Sequence, residues 1–271
     1  MYKVSKIAGI ILISCFVLYA CSSITIMEKD GAPARPADVS SVKDAVPKTE
    51  PRSKYGNPDS YEVFGKRYYV LNDSHGYIER GIASWYGTKF HGRRTSSGET
   101  YDMYAMTAAH KTLPLPTYAE VINLENNKHV IVKVNDRGPF HENRIIDLSY
   151  SAAAKLGILA KGTGIVEVRA IDPVNYSPGG SPALITVALS NDTINQFYIQ
   201  VGAFSELVNA ERLQSRLNGL GKTMINISQA NVNGQQVYRV RIGPFADVDI
   251  ADSIVRQLPR YGLYDHHVVI D

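Results

Sequence analysis

An internal repeat near the carboxyl end constrains the fold of this chain more than any other feature of its sequence. Residues 198–204 recur as residues 239–245, with Gly202 and Gly243 separated by 41 positions. Each copy is followed by apolar residues at helical spacing, then by a second strand-like run at residues 223–229 and 266–270. A duplicated strand–helix–strand unit predicts βαββαβ, an α+β fold in which two helices cover one face of a four-stranded antiparallel sheet.

The helical part of the repeat is equally regular. Ala210, Leu213 and Leu217 have counterparts 41 residues later at Ala251, Ile254 and Leu258, and Gly221 and Gly262 are natural helix stops. We therefore assign residues 194–271 to one βαββαβ domain.

Both cysteines lie in the first 21 residues, at Cys15 and Cys21. From Ser22 onward the chain has no cysteine, which excludes a disulfide framework, a thiolate metal cluster and a cysteine nucleophile there.

The first 20 residues have the pattern of a signal peptide. Lys3 and Lys6 precede an uncharged apolar run over residues 7–20, too short for a membrane-spanning helix, and Cys21 follows directly. Residues 18–21 resemble the lipobox of bacterial lipoproteins, which predicts a lipid on Cys21. Ser22 in the next position resembles sorting to the outer membrane. The alternative is an ordinary signal peptide with an incidental cysteine.

Charge gives no argument for nucleic acid as a partner. Loss of the signal peptide removes two lysines and no acid, so the formal net charge of +3 falls to +1.

Proline and glycine clusters divide the remaining chain. Residues 21–60 carry scattered prolines without strand or helix periodicity, which predicts a flexible tether. Residues 61–172 are rich in strand signals, including residues 81–86, 104–108, 119–124 and 129–135, with a hairpin turn at Asn126-Asn127 and a short helix at 151–156. Residues 173–193 read as a second linker.

No metal, phosphate or cofactor motif is present. The seven histidines form no HExxH-type pair, and the neighbours His266 and His267 fall in a predicted strand, where they point to opposite faces. There is no G-x-S-x-G elbow and no phosphate-binding glycine loop. We predict no cofactor and no metal site.

Polar, turn-rich segments of the central domain supply the remaining candidates. Asp136 and Glu99 have the chemistry for acid–base work, and His110 for hydrogen bonding or proton handling. Each also has a structural interpretation, because Asp136 begins a good turn sequence and Glu99 follows Gly98 in a loop. Asp147, set between apolar residues ahead of a helix, is interpreted as a structural hydrogen-bond acceptor or cap.

Five motifs in order resemble the rare lipoprotein A family over residues 77–172. They are Gly81-Ile82-Ala83-Ser84-Trp85-Tyr86-Gly87, Phe90-His91-Gly92-Arg93, Thr107-Ala108-Ala109-His110, Asn135-Asp136-Arg137-Gly138-Pro139-Phe140 and Ile146-Asp147-Leu148-Ser149. The resemblance implies a six-stranded double-psi β-barrel, a fold shared with expansins and one class of lytic transglycosylase. The C-terminal repeat resembles a SPOR domain.

The resemblance also implies a function. Some family members are periplasmic lipoproteins that cut peptidoglycan glycan strands lacking stem peptides, and their SPOR domains bind such denuded strands at the division septum. Septal division proteins are then candidate partners. The family's important acids fall on Glu99 and Asp136, and its histidine on His110. Other members act mainly by binding, so activity is not uniform.

We hypothesise that Asp136 carries both proton transfers of a lytic transglycosylase, with Glu99 orienting the sugar and His110 hydrogen-bonding substrate or acid. Trp85, Tyr86 and Arg137 are predicted to bind sugar beside the cleft, although Trp85 equally fits the barrel core.

On the SPOR sheet the predicted glycan ligands are Gln200, Tyr238, Arg239 and Arg241, although such a face could bind a protein. Two rival functions are an expansin-like wall-binding protein without turnover and a water-using muramidase.

Overall fold

A computed structural model describes residues 30–177, 196–220 and 223–270. The predicted signal peptide, the lipidation site Cys21, the stop at Gly221 and most of the second linker lie outside these residues. Within the described ranges, no helix has the length and apolar character to cross a membrane.

A short antiparallel hairpin precedes the central domain. Its strands are β1 (Ser60–Val63) and β2 (Lys66–Tyr69), and they form a separate two-stranded sheet.

Six further strands close the predicted barrel. They are β3 (Ile78–Tyr86), β4 (Thr107–His110), β5 (Thr117–Asn123), β6 (His129–Asp136), β7 (Arg144–Ser149) and β8 (Gly164–Ala170), in the spatial order β3-β7-β4-β6-β5-β8. The pairs β3–β7 and β4–β6 are parallel, and the other neighbours are antiparallel. Closure leaves no unpaired edge, and the interior is filled by small and branched side chains such as Ala108, Val121 and Val132.

Local sequence explains the turns and the helix of the barrel domain. Asn127 takes the left-handed conformation (φ 58°) that the hairpin between β5 and β6 requires. The helix α1 (Tyr150–Leu156) begins where the Ser149 hydroxyl accepts the Ala152 amide and ends at Gly157, also left-handed at φ 80°.

Strand β7 differs from its sequence-based interpretation. The sequence places Asp147 among the polar, turn-rich segments, whereas Arg144–Ser149 form a strand between β3 and β4. The strand carries buried Arg144 and a half-buried Asp147 among its apolar residues. Polar residues weaken strand propensity, and only pairing on both sides provides their environment.

The segment predicted as a tether is attached to the barrel from Asp30 onward. The Ala45 amide donates to Ile131 O at 3.0 Å, and the Ser53 amide donates to Leu115 O at 2.8 Å. Lys155 Nζ donates to Asp44 Oδ1 at 2.5 Å. We call residues 30–60 the strap. Its backbone groups find their hydrogen-bond partners on the barrel, so its sequence needs no helix or strand periodicity. The scattered prolines therefore predicted a flexible segment where the structure has an attached one.

The C-terminal domain has the predicted βαββαβ order. Its elements are β9 (Phe197–Phe204), α2 (Leu207–Leu217), β10 (Ile225–Val232), β11 (Gln235–Phe245), α3 (Val248–Val255), a 3₁₀ turn (Leu258–Tyr261) and β12 (His267–Ile270). The sheet order is β10-β11-β9-β12, and every pair is antiparallel. The repeat positions Ala210 and Ala251 are both fully buried, which confirms that the duplicated apolar spacing builds the core.

Candidate active site

Four side-chain positions form one row across the outer face of the barrel. Ser84 on β3 pairs with Asp147 on β7, Asp147 pairs with Ala109 on β4, and Ala109 pairs with Asp136 on β6. The Ala109–Asp136 pair follows a register irregularity, and the charges of both Asp136 and Asp147 act on the Tyr86 hydroxyl, which places the two acids on the same side of the barrel. Two carboxyl groups therefore flank one alanine, with Cα atoms two strand spacings apart, or about 10 Å.

Asp136 is held in place by three donors to a single oxygen. Its Oδ1 accepts the Ser96 amide at 2.8 Å, the Ser96 hydroxyl at 2.6 Å and the Arg137 amide at 2.8 Å. Ser96, in the loop at residues 95–99, supplies two of these donors. Its hydrogen bonds attach this loop to the end of β6. The carboxyl group is half-buried, and its orientation is set by backbone as well as side chain.

Asp147 has different surroundings. Burial raises the pKa of Asp147, against the opposing effects of a hydrogen bond from Ser84 and the positive charges of Arg144, Lys111 and His141. The Ser84 hydroxyl donates to Asp147 Oδ1. The sequence interpretation of Asp147 as a structural acceptor overlooked this environment, and the parallel pairing of β3 with β7 is what creates it.

Glu99 is the last residue of the same loop, and its carboxylate is held by two hydrogen bonds. Its two oxygens accept Lys133 Nζ and Asn135 Nδ2, each at 2.7 Å. Burial opposes ionisation of Glu99, but these hydrogen bonds and the Lys133 charge outweigh it, so the pKa lies below its ordinary value. Glu99 is therefore ionised at neutral pH and suited to accepting hydrogen bonds.

His110 is buried beneath the site. Its Nδ1 accepts the amides of Thr112 and Leu113 at 3.1 and 3.0 Å, so the neutral ring carries its proton on Nε2 and donates to the Tyr77 hydroxyl at 2.9 Å. Burial and the charges of Arg137 and Lys111 lower the pKa of His110 to about 3. With 2% of its surface exposed, His110 holds the chain after β4 and does not face open solvent.

Arg137 is likewise engaged with the protein. Its guanidinium donates to Gly56 O at 2.8 Å, to Leu113 O at 2.5 Å and to His110 O at 3.1 Å. A fourth bond reaches Asn57 Oδ1 at 3.2 Å. Arg137 thus joins the strap to the chain after β4, whereas the sequence predicted a sugar ligand.

Both aromatic residues predicted to bind sugar pack against other parts of the barrel domain. Trp85 pairs with Leu148 and so faces the side opposite to Asp147, where it packs against the barrel core. Tyr86 is 7% exposed and stacks on Tyr101, with ring centroids 4.1 Å apart. Burial, Tyr101 and the charges of Asp136 and Asp147 raise its pKa well above the ordinary value, so Tyr86 keeps its proton between the two acids.

An exposed aromatic ring that the sequence interpretation missed lies on the strap. Tyr55 is 54% exposed, and its ring lies beside Gly98, next to Glu99. The following Gly56 is left-handed (φ 80°), and a Cβ there would lie 2.8 Å from Ser96 O. A Tyr-Gly-Asn turn inside an otherwise featureless segment was the available signal.

The predicted ligands of the C-terminal sheet divide between its two faces. Gln200 pairs with Arg241 and with His267, which places these three on the outer face together with half-buried Arg239. Tyr238 instead packs against the apolar core beneath the helices. The Arg241 guanidinium lies over the Tyr198 ring, 5.8 Å from its centroid, so the outer face also contains an aromatic residue.

Among the described residues, no group of three or more His, Cys, Asp or Glu side chains is placed to hold a metal ion.

Comparison with known proteins identifies both domains. Residues 78–170 match the family model described as lytic transglycolase, and residues 195–269 match the SPOR domain model. The barrel with its carboxyl-lined face thus belongs to the class of double-psi lytic transglycosylase domains, here joined to a SPOR domain.

Relatives extend this match over nearly the whole chain. A protein named endolytic peptidoglycan transglycosylase RlpA from Vibrio cholerae is 40% identical over 257 residues, covering 94% of this chain and 93% of the relative. The protein of the same name from Pseudomonas aeruginosa is 42% identical over 269 residues, covering 82% of this chain and 78% of the relative. The chain belongs to the RlpA family.

Among solved structures, the crystal structure of the RlpA SPOR domain from Pseudomonas aeruginosa is 31% identical, covers 28% of this chain and 99% of its own, and has a TM-score of 0.27.

Proposed function

We propose that this chain is an endolytic peptidoglycan transglycosylase that cleaves denuded glycan strands to 1,6-anhydromuramyl products. The observation that carries the proposal is the row Ser84–Asp147–Ala109–Asp136, in which two carboxyl groups share one face of the barrel but differ in environment. Carboxyl groups whose surroundings separate their protonation states are the usual means of dividing acid from base. The names of the RlpA relatives support the same reaction.

The reaction needs two proton transfers and no water. The C6 hydroxyl of muramic acid attacks its own C1, the C1–O4 bond to the next sugar breaks, and the hydroxyl proton is lost while O4 gains one. The raised pKa of Asp147 supports its role as donor to O4. Asp136, to which the sequence assigned both transfers, then accepts the C6 proton and is oriented for it by Ser96 and Arg137.

Other residues of the site position these acids and the sugar. Glu99, an ionised acceptor held by Lys133 and Asn135, orients sugar hydroxyl or amide groups. Tyr55 offers an exposed ring for a sugar face. His110 and Arg137 act through the chain segments that they hold.

Charge supports the proposed preference for denuded strands. Removal of a stem peptide leaves a free lactyl carboxylate on each muramic acid, and the outer face of the SPOR sheet carries Arg239 and Arg241. The domain is proposed to concentrate the enzyme where such strands occur, at the division septum. The signal-like run ending at Cys21 supports a periplasmic protein held by lipid, with the outer membrane favoured by Ser22.

The test is a product analysis. Full-length protein is incubated with amidase-treated and with untreated sacculi, and soluble products are identified by mass spectrometry. We expect anhydro-ended fragments mainly from the treated sacculi, reduced by 10²- to 10⁴-fold in Asp136→Asn and in Asp147→Asn. Asp249→Asn, an exposed charge on α3, is the matched control and retains activity.

Other products would contradict the proposal. Reducing ends would indicate a muramidase that activates water. Retention on sacculi without released fragments would indicate a binding protein. Undiminished anhydro product in Asp136→Asn would remove Asp136 from the mechanism.

A further inference from the structure

A buried ion pair joins the barrel to the SPOR domain. Arg144 at the start of β7 donates from Nη2 to Asp252 Oδ2 at 2.6 Å and from Nη1 to Oδ1 at 3.2 Å. Asp252 lies on α3, and the two residues are 5% and 6% exposed. A bidentate ion pair of this kind has a defined geometry. If one partner is lost, the remaining buried charge destabilises the fold.

The contacts around this pair form a continuous interface. Ile82, Leu124 and Ile165 of the barrel belong to the same buried apolar cluster as the core of the SPOR domain. Asn143 Nδ2 lies 3.4 Å from Asp252 Oδ1, and His266 Nε2 lies 3.7 Å from Glu142 Oε2. Apolar burial with a central ion pair indicates that the two domains dock in one orientation.

The same arginine lies close to the proposed active site. Arg144 precedes Asp147 by three residues on β7, and its carbonyl oxygen accepts Lys111 Nζ at 2.5 Å. Arg144 and Lys111 are two of the positive charges that act on Asp147. Asp252 neutralises the first of them. The charged, titratable or hydrogen-bonding groups that face Asp147 are Ser84, Tyr86, Tyr101, Lys111, His141 and Arg144.

We propose that the docked SPOR domain is part of the catalytic unit, with Asp252 as a positioning residue that acts through Arg144 on strand β7 and on the proton of Asp147. The proposal rests on the proposed function for the role of Asp147, while the docking itself does not. Binding of glycan by the SPOR domain then influences the same strand that carries the acid, in addition to bringing the enzyme to its substrate.

The first arm of the test is the pH profile of anhydro-product formation by full-length protein. In Asp252→Asn the charge of Arg144 is no longer balanced, so the ionised form of Asp147 is favoured. Because the reaction uses protonated Asp147, we expect the alkaline limb to move to lower pH by about half a unit or more. Asp249→Asn, on the same helix but exposed, keeps the wild-type profile, and Asp252→Glu restores it.

A charge swap separates electrostatic coupling from simple attachment. The double variant Arg144→Asp/Asp252→Arg retains an ion pair at the interface but places a carboxylate near Asp147, so the alkaline limb moves to higher pH. A swap variant with the wild-type profile, or an Asp252→Asn profile identical to wild type, would overturn the proposal.

The second arm measures docking without activity. Hydrogen exchange of the amides of residues 144–147 is expected to quicken in Asp252→Asn and to remain slow in Asp249→Asn. If the wild-type protein gives no anhydro product, the proposed function fails while this arm still tests the docking. Unchanged exchange in Asp252→Asn would show that the SPOR domain does not support β7.

Discussion

The two acids of the candidate site are both aspartates, but their hydrogen-bond partners differ. Asp136 receives three hydrogen bonds on one oxygen, whereas Asp147 accepts the Ser84 hydroxyl, and burial raises its pKa. His110 shows the same dependence on surroundings, because burial lowers its pKa to about 3 and the Thr112 and Leu113 amides fix its tautomer. Single residues here have their chemistry set by solvent exclusion.

Replacement of Asp147 tests whether its burial serves activity at the expense of stability. A carboxyl group with a raised folded pKa loses stability as the pH rises above its unfolded pKa of about 3.9. We expect Asp147→Asn to be at least as stable as wild type at pH 8 in urea unfolding, although it loses activity. Asp136→Asn keeps an acceptor oxygen but loses the negative charge that strengthens its three hydrogen bonds, so it is less stable. A destabilised Asp147→Asn beside an unaffected Asp136→Asn would contradict this view.

His110 predicts an acid-sensitive fold. The unfolded histidine binds a proton near pH 6.5 and the folded one only near pH 3, so stability is complete above pH 6.5 and is lost as the pH falls toward 3. Between pH 7 and pH 5 the loss amounts to about 2 kcal/mol. Urea unfolding at both values checks it, and His110→Gln should show a correspondingly smaller pH dependence. An equal pH dependence in the variant would rule out His110 as the source.

The strap at residues 30–60 lies beside the candidate site and has almost no regular secondary structure. Asn57 is its main attachment: its amide donates to Ser53 O and Leu115 O, and its Oδ1 accepts the Leu115 amide and Arg137 Nη2. Glu50 of the strap also accepts Lys133 Nζ, which in turn holds Glu99. The strap therefore supports both sides of the loop beside Asp136.

Asn57→Ala removes four hydrogen bonds and leaves Leu115 and Arg137 with unmatched polar groups. We expect a loss of about 2–3 kcal/mol in the free energy of unfolding, together with weakened substrate binding because the wall next to Tyr55 loosens. Denaturant unfolding and KM measurements check both effects. Asp59→Ala, an exposed neighbour, is the control, and equal behaviour of the two variants would argue against an attached strap.

At the scale of the whole molecule, and among the residues that the structure describes, the barrel and the SPOR domain share an apolar cluster and a buried ion pair. Such a pair fixes the relative orientation of the two domains more than it adds to the free energy of unfolding, because the cost of burying two charges offsets much of their attraction. The apolar contacts of Ile82 and Ile165 supply the favourable part of the interface.

Loss of one partner of this pair is expected to be costly. Asp252→Asn leaves Arg144 buried without its carboxylate, and we expect a loss of about 3–5 kcal/mol in unfolding experiments. Replacement of both residues by apolar ones, Arg144→Met with Asp252→Leu, should recover most of it. If the single and double variants unfold alike, the pair is solvated and the domains are not docked through it.

Much of the fold was predictable from local pattern. The 41-residue repeat identified the SPOR domain, and the five motifs identified the barrel. Both signals depend only on the order and spacing of residues along the chain, so they can be detected without the structure. The sequence also predicts Asp136 and Glu99 as candidates, and the structure joins both to the segment of residues 95–99 and the end of β6. Trp85 and Arg137 were selected for their chemistry, yet their faces and partners depend on which strands become neighbours.

The sequence by itself determined the elements of this protein: the repeat, the helix caps at Ser149 and Gly157, and the residues able to carry acid–base chemistry. Tertiary structure alone decided that Asp147 lies on the same side of the barrel as Asp136, that residues 30–60 bind the barrel, and that Asp252 neutralises Arg144. The physical reason is that periodicity records which side of an element is apolar, whereas burial, pairing and pKa depend on neighbours that are distant along the chain.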